Sequence, residues 1–213
     1  RFKDEAGNIS EVVSQKIELD RTPPIVGDVK INEGDNGTNV QTVGLTLNAQ
    51  GATHMMISNR IDFPESKWES YNTTKQFTLV GEDGVKFVFV RYRDGIGNIS
   101  EIAYDRIGLD RTAPTEGEII VNKGAKYTTN INKYVTLNLR AKGAYEMRIG
   151  KNEAMDSAAW QTFRPIVMNH ILAGEDGENK VWVQFGDKAG NKTKPISASI
   201  ILDRQAPFGE EII

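Results

Sequence analysis

The chain has 213 residues, with 26 Lys+Arg against 29 Asp+Glu, a formal net charge of −3 and 38% hydrophobic residues. This length is a prior for one or two domains, and the charge balance removes the basic footprint of a nucleic-acid binder. Cysteine is absent and only His54 and His170 are present, which excludes disulfides, thiolate metal sites and Cys nucleophiles and leaves little for triad chemistry.

Read in chain order, the pattern is β throughout. The opening Arg1–Asp4 reads as the interior of a longer polypeptide, with no leader pattern before it, and no apolar run reaches the roughly 18 residues of a membrane helix. Strands are expected at roughly 25–31, 40–49, 53–59, 68–71, 75–80, 85–93 and 99–109. In these runs Leu45/Leu47/Ala49, Met55/Ile57, Val88/Val90/Tyr92 and Ile107/Leu109 alternate with polar residues, the period-two mark of a half-buried strand. Beyond residue 110 the same phrases return as Leu137/Leu139/Ala141, Met147/Ile149, Val181/Val183/Phe185 and Ile200/Leu202. Phe2 occupies the place of Tyr92 and Phe185. No segment sustains a helical period.

The chain is therefore a repeat. Asp4-Glu-Ala-Gly7-Asn8-Ile-Ser10 recurs as Asp94-Gly-Ile-Gly97-Asn98-Ile-Ser100 and Asp187-Lys-Ala-Gly190-Asn191-Lys-Thr193, at spacings of 90 and 93 residues. Each copy is followed by a closing phrase ending in Asp20-Arg21, Asp110-Arg111 or Asp203-Arg204, and then by Pro24, Pro114 or Pro207. Gly81–Gly84 returns as Gly174–Gly177, and Trp68 as Trp160. The expected parse is 1–20 as the last strands of a preceding module, 21–110 and 111–203 as complete modules, and 204–213 as the start of another or a tail.

About seven strands per 90 residues without cysteine suggest an all-β chain of tandem immunoglobulin-like sandwiches joined by short Pro-containing linkers. The phrase Asp-x-x-Gly-Asn-x-Ser followed by Ile-x-Leu-Asp-Arg-Thr-x-Pro resembles the tandem bacterial Ig-like repeats of large surface adhesins and secreted multidomain proteins. That resemblance implies an extracellular or bacterial-surface location, a non-catalytic stalk or spacer role in adhesion, neighbouring modules as partners, and a host glycan or protein as a candidate ligand. No nucleic acid and no membrane insertion are expected. Two other settings fit the same beads: an accessory carbohydrate- or partner-binding module of a secreted enzyme, and an element of a phage or injection-machine fibre.

The Asp-x-x-Gly-Asn turn has two readings. As a hairpin loop, its Asp accepts amide hydrogen bonds while Gly and Asn take left-handed dihedrals. As a calcium site, this loop meets the end of the preceding module, so Glu82, Asp83, Asp110, Asp187 and Asn191 converge as oxygen donors, with Asp20, Asp94 and Asn98 at the earlier junction. Arg21, Arg111 and Arg204 oppose the second reading, because an arginine beside each acid can pair with it and leave no metal. No cofactor is otherwise required.

Trp68 and Trp160 are expected as core anchors rather than sugar platforms. Phe89 and Trp182 alternate out of phase with the buried valines, so they are candidate ligand-binding aromatics unless neighbours cover them. His54 is expected exposed and His170 half-packed. The Asn-x-Ser/Thr sequences at Asn8, Asn36, Asn72, Asn98 and Asn191 are read as turn chemistry.

Overall fold

Alternating burial sets the architecture. A computed structural model describes residues 1–207; residues 208–213, within the expected segment 204–213, lie outside the described residues. The strands are β1 (Ile25–Ile31), β2 (Gly37–Thr38), β3 (Thr42–Gln50), β4 (His54–Ser58), β5 (Glu69–Ser70), β6 (Thr74–Thr78), β7 (Gly84–Arg93) and β8 (Ala103–Leu109). The series repeats as β9 (Thr115–Val121), β10 (Tyr127–Thr128), β11 (Tyr134–Lys142), β12 (Glu146–Gly150), β13 (Gln161–Thr162), β14 (Ile166–Ile171), β15 (Gly177–Gly186) and β16 (Ile196–Leu202).

These strands form four sheets in two matching pairs: β1-β3-β6 with β2-β8-β7-β4-β5, and β9-β11-β14 with β10-β16-β15-β12-β13. The fold is an all-β, Ig-like two-sheet arrangement repeated along the chain. By internal packing the chain divides into two compact units. One comprises Arg1–Lys30, Leu45–Lys75 and Val88–Asp105; the other comprises Ile31–Gly44, Gln76–Phe87 and Arg106–Ile213.

In the first unit, Leu45, Leu47, Met55, Val88, Val90 and Tyr92 are buried, and the rings of Tyr71 and Tyr92 meet edge to face at 5.7 Å. In the second unit, Val135, Leu137 and Leu139 of β11 pack with Met147, Val181, Val183, Phe185, Ile200 and Leu202 of the facing sheet. Phe163 and Phe185 reproduce the edge-to-face pair at 5.8 Å. Each such side chain contributes about 1.5–3 kcal/mol by leaving water, and the strict alternation of β3 and β11 directs every second residue into the core.

Two expectations need correction. Each series has eight strands, because a two-residue strand, β2, lies ahead of the expected strand 40–49, which forms as β3. β2 and β10 are two-residue strands that pair in parallel with β8 and β16, through Gly37↔Gly108 and Tyr127↔Ile201. Such pairs are too short to carry a periodic signal. The expected strand 99–109 begins only at Ala103, since residues 99–102 belong to the loop that returns from β7.

Residues 1–20 form no long strand. They contain one isolated bridge, Lys3↔Ile9, and leave Phe2, Ile17 and Leu19 at 79%, 90% and 75% exposure. Their counterparts Tyr92, Ile107 and Leu109, and Phe185, Ile200 and Leu202, are all buried.

Candidate functional site

The recurrent loop is built around one carboxylate. Asp94 Oδ1 accepts the backbone N–H groups of Ile96 (3.0 Å), Gly97 (2.7 Å) and Asn98 (2.9 Å), while Oδ2 accepts the Asn98 side-chain amide at 2.8 Å. Asp187 takes Ala189 and Asn191 N–H groups at 2.9 Å each, and the Asn191 amide at 2.9 Å. Asp4 makes the same pair of bonds to Asn8. The turn requires a left-handed glycine, supplied by Gly7, Gly97 and Gly190 at φ of 95°, 106° and 93°. The asparagine was expected to share that conformation and does not, because its backbone and amide N–H groups are both committed to the aspartate. Burial pushes the Asp94 carboxyl up, but the donors from Asn98, Gly97 and Ile96 outweigh it and hold the group below its ordinary value.

The asparagine amide also reaches the linker. Asn191 Nδ2 donates to the backbone carbonyl of Asp110 at 2.7 Å. At the earlier linker, Asn98 Nδ2 donates to the carbonyls of Asp20 at 3.3 Å and Thr22 at 3.4 Å. One side chain thus ties its own loop to a backbone carbonyl about 80 residues before it, and does so twice. Each linker acid caps its own turn: Asp20 accepts Thr22 N–H at 2.8 Å, Asp110 accepts Thr112 N–H at 3.0 Å and Asp203 accepts Gln205 N–H at 3.2 Å.

The arginines after Asp110 and Asp203 pair elsewhere. Arg111 Nε donates to Asp83 Oδ1 at 2.7 Å and its Nη2 to Glu82 Oε2 at 3.4 Å, while Arg111 N–H and the Thr112 hydroxyl donate to Asp83 Oδ2 at 3.0 and 3.1 Å. Arg204 repeats the clamp on Asp176 at 2.6 Å and Glu175 at 2.7 Å, where Lys133 adds a bond at 2.8 Å. The Arg111 backbone N–H and guanidinium hold Asp83 below the usual carboxylate range. Lys133 and Arg204 do the same to Glu175. Sequence reasoning placed these arginines against their adjacent aspartates. The signal for the true partner is the recurrence of Asp83–Arg111 and Asp176–Arg204 at one separation of 28 residues.

Of the residues expected to hold calcium, the structure brings Asp110 to Asn191 and Asp83 to Arg111. Asp83 and Asp110 line a cavity of about 490 Å³ together with Lys188. Asp20 and Asp94 line another of about 280 Å³. Among the described residues, no three His, Asp or Glu side chains gather at metal-holding distance. Asp83, Asp94, Asp110 and Asp187 accept N–H donors, and the Arg111 guanidinium adds to Asp83.

The aromatic expectations divide. Phe89 is half-buried with its ring 6.0 Å from that of Tyr104, and Trp182 is half-buried on β15. Trp68 and Trp160, expected in the core, are half-buried at its margin. Arg93 lies 4.8 Å from the Trp68 ring, and Arg148 and Lys192 each lie 5.1 Å from that of Trp160, so cation–π stacking anchors them. His54 is half-buried rather than exposed, with Nδ1 2.9 Å from the Thr53 hydroxyl. His170 is half-buried as expected, and burial pushes its imidazole down.

No protein-family model matches the chain, and no curated protein matches it. Among solved structures it is similar to the fibronectin(III)-like modules of Clostridium thermocellum CbhA, at 10% identity and a TM-score of 0.53, over 86% of this chain and 99% of that one. The FN1–FN3 domains of chicken CNTN1 align at 13% identity over 93% of this chain and 75% of that one, with a TM-score of 0.44 that is too low to support an argument. The first likeness supports the fibronectin(III)-like, Ig-like fold and goes no further.

Proposed function

We propose that this chain is a non-catalytic spacer, a segment of a bacterial cell-surface or secreted protein in which sandwich modules at 21–110 and 111–203 follow one another as a semi-rigid stalk. In this reading residues 1–20 close a preceding module, and residues 204–213 start another module or form a tail. The exposure of Phe2, Ile17 and Leu19, whose counterparts are buried, supports the first assignment. The bacterial setting rests on the resemblance of the Asp-x-x-Gly-Asn and Asp-Arg-Thr-x-Pro phrases to adhesin repeats.

The observation that carries the proposal is the twice-made bond from a loop asparagine to a linker carbonyl, Asn98 to Asp20 and Asn191 to Asp110. A free string of beads has no use for such a bond. It removes freedom from the linker at a cost of one amide. Pro24 and Pro114 stiffen the same segments by fixing φ near −65°.

The absence of native cysteine makes the test clean. Spin labels on Lys67→Cys and Glu153→Cys should give one narrow distance distribution by pulsed electron resonance, and Asn191→Ala should broaden it. A broad distribution in the parent chain, or one indifferent to Asn191→Ala, would overturn the spacer reading.

A further inference from the structure

The two series differ sharply at one place. Between β14, the end of β12 and β15, the second series contains a cavity of about 270 Å³. Its lining includes His170, Lys180 and Lys151. Ile171 and Ala173, both exposed, supply apolar surface beside them. In the first series the residues at the matching positions, each 93 residues earlier, are Phe77 for His170 and Phe87 for Lys180. One copy has aromatic bulk where the other has an imidazole and an ammonium.

Neither Lys151 nor Lys180 forms an ion pair among the described residues. The one acid on the wall, Asp156, is engaged by Asn152, whose amide donates to Asp156 Oδ2 at 3.0 Å while Asp156 N–H returns a bond at 3.3 Å. The wall therefore offers two unpaired ammonium groups over an apolar floor. Met155, buried at a left-handed φ of 58°, fixes the 151–158 loop from beneath, so this part of the wall is preformed.

We propose that this cavity binds a small carboxylic acid with an apolar body, its carboxylate taken by Lys151 and Lys180 and its body laid against Ile171 and Ala173. The volume lies just below the ~300 Å³ at which drug-sized pockets begin, which suits a ligand the size of benzoate. Charge-assisted bonds from two ammonium groups would select a carboxylate over a neutral amide of the same shape.

The two histidines provide the readout. Benzoate titrated into the full chain at pH 7 should shift the His170 ring protons saturably, with a Kd of ~1 mM, and leave those of His54 unmoved. Benzamide should bind at least tenfold more weakly. Lys180→Phe, which restores the residue of the first series, and Lys151→Asn should each weaken benzoate about tenfold without lowering the melting temperature. Equal movement of both histidines, a linear response to 50 mM, equal binding of benzamide, or unchanged affinity in both variants would each overturn the proposal. Inorganic phosphate binding more tightly than benzoate would overturn the assignment to an apolar carboxylate.

Discussion

Tyr92 is a case in which one copy of the repeat serves as a control for the other. Its ring is fully buried and its hydroxyl has no hydrogen-bond partner, so burial pushes the phenol's pKa up. Phe185 fills the same place, with Phe163 as its edge-to-face neighbour, and has no hydroxyl. An unpaired buried hydroxyl costs about 1–3 kcal/mol. Tyr92→Phe should therefore raise the stability of the chain by about 1 kcal/mol, read as a higher urea midpoint at unchanged m-value. The corresponding Tyr71→Phe should lower it, because the Tyr71 hydroxyl accepts the Ala49 N–H at 3.0 Å and donates to the Leu47 carbonyl at 3.2 Å. Acid sensitivity belongs to the same scale. Asp83, Asp94 and Glu175 all have folded-state values below their ordinary 3.8, 3.8 and 4.5. Their contribution is complete above those ordinary values and is lost as pH falls through the depressed ones. The urea midpoint should begin to fall below about pH 6.5, where the unfolded chain takes up the His170 proton more readily than the folded one. It should drop further below about pH 4, and Asp83→Asn should flatten that acid limb.

The element that repeats most faithfully is the Asp-x-x-Gly-Asn loop, and its glycine is the residue least open to change. Gly190 sits at φ 93°, where a Cβ is strained whatever space surrounds it, and Gly190→Ala should cost about 1 kcal/mol or more in chemical unfolding. The aspartate and left-handed glycine of this loop were visible in the sequence, though not the conformation of its asparagine, as were the buried faces of β3, β7, β11 and β15, because these rest on local periodicity and turn chemistry. What the sequence concealed depends on pairs distant along the chain. The parallel two-residue strands β2 and β10 have no pattern of their own. The partner of Arg111 lies 28 residues upstream, and a carboxylate next door in sequence was the more obvious choice. Trp68 reads as a core residue by type, but the cation that holds it at the margin, Arg93, ends β7, which β4 separates from β5 in the sheet.

At the scale of the molecule, the question of metal is open to direct test. Calcium at Asp83, Asp110 and Asp187 would have to displace the Arg111 guanidinium and several N–H donors from carboxylates they already occupy. With those donors in place, adding a chelator should leave both the melting temperature and the label-to-label distance unchanged; a drop in melting temperature reversed by calcium would revive the metal reading. Residues 1–20 provide a second test. Deleting residues 1–19 removes Phe2, Ile17 and Leu19 while retaining the Asp20 carbonyl that Asn98 engages. It should reduce binding of a hydrophobic dye without lowering the melting temperature.

The bond from Asn191 ends on the main-chain oxygen of Asp110 and not on its side chain. Every amino acid carries that oxygen, so the receiving partner need not preserve any particular residue to be recognised. In the spacer reading proposed above, modules meeting through such a bond are interchangeable parts: a gene encoding them can gain or lose copies by duplication or deletion, and each new seam is compatible from the outset. An array lengthened by a second copy of 111–203 should need no redesign at the added seam.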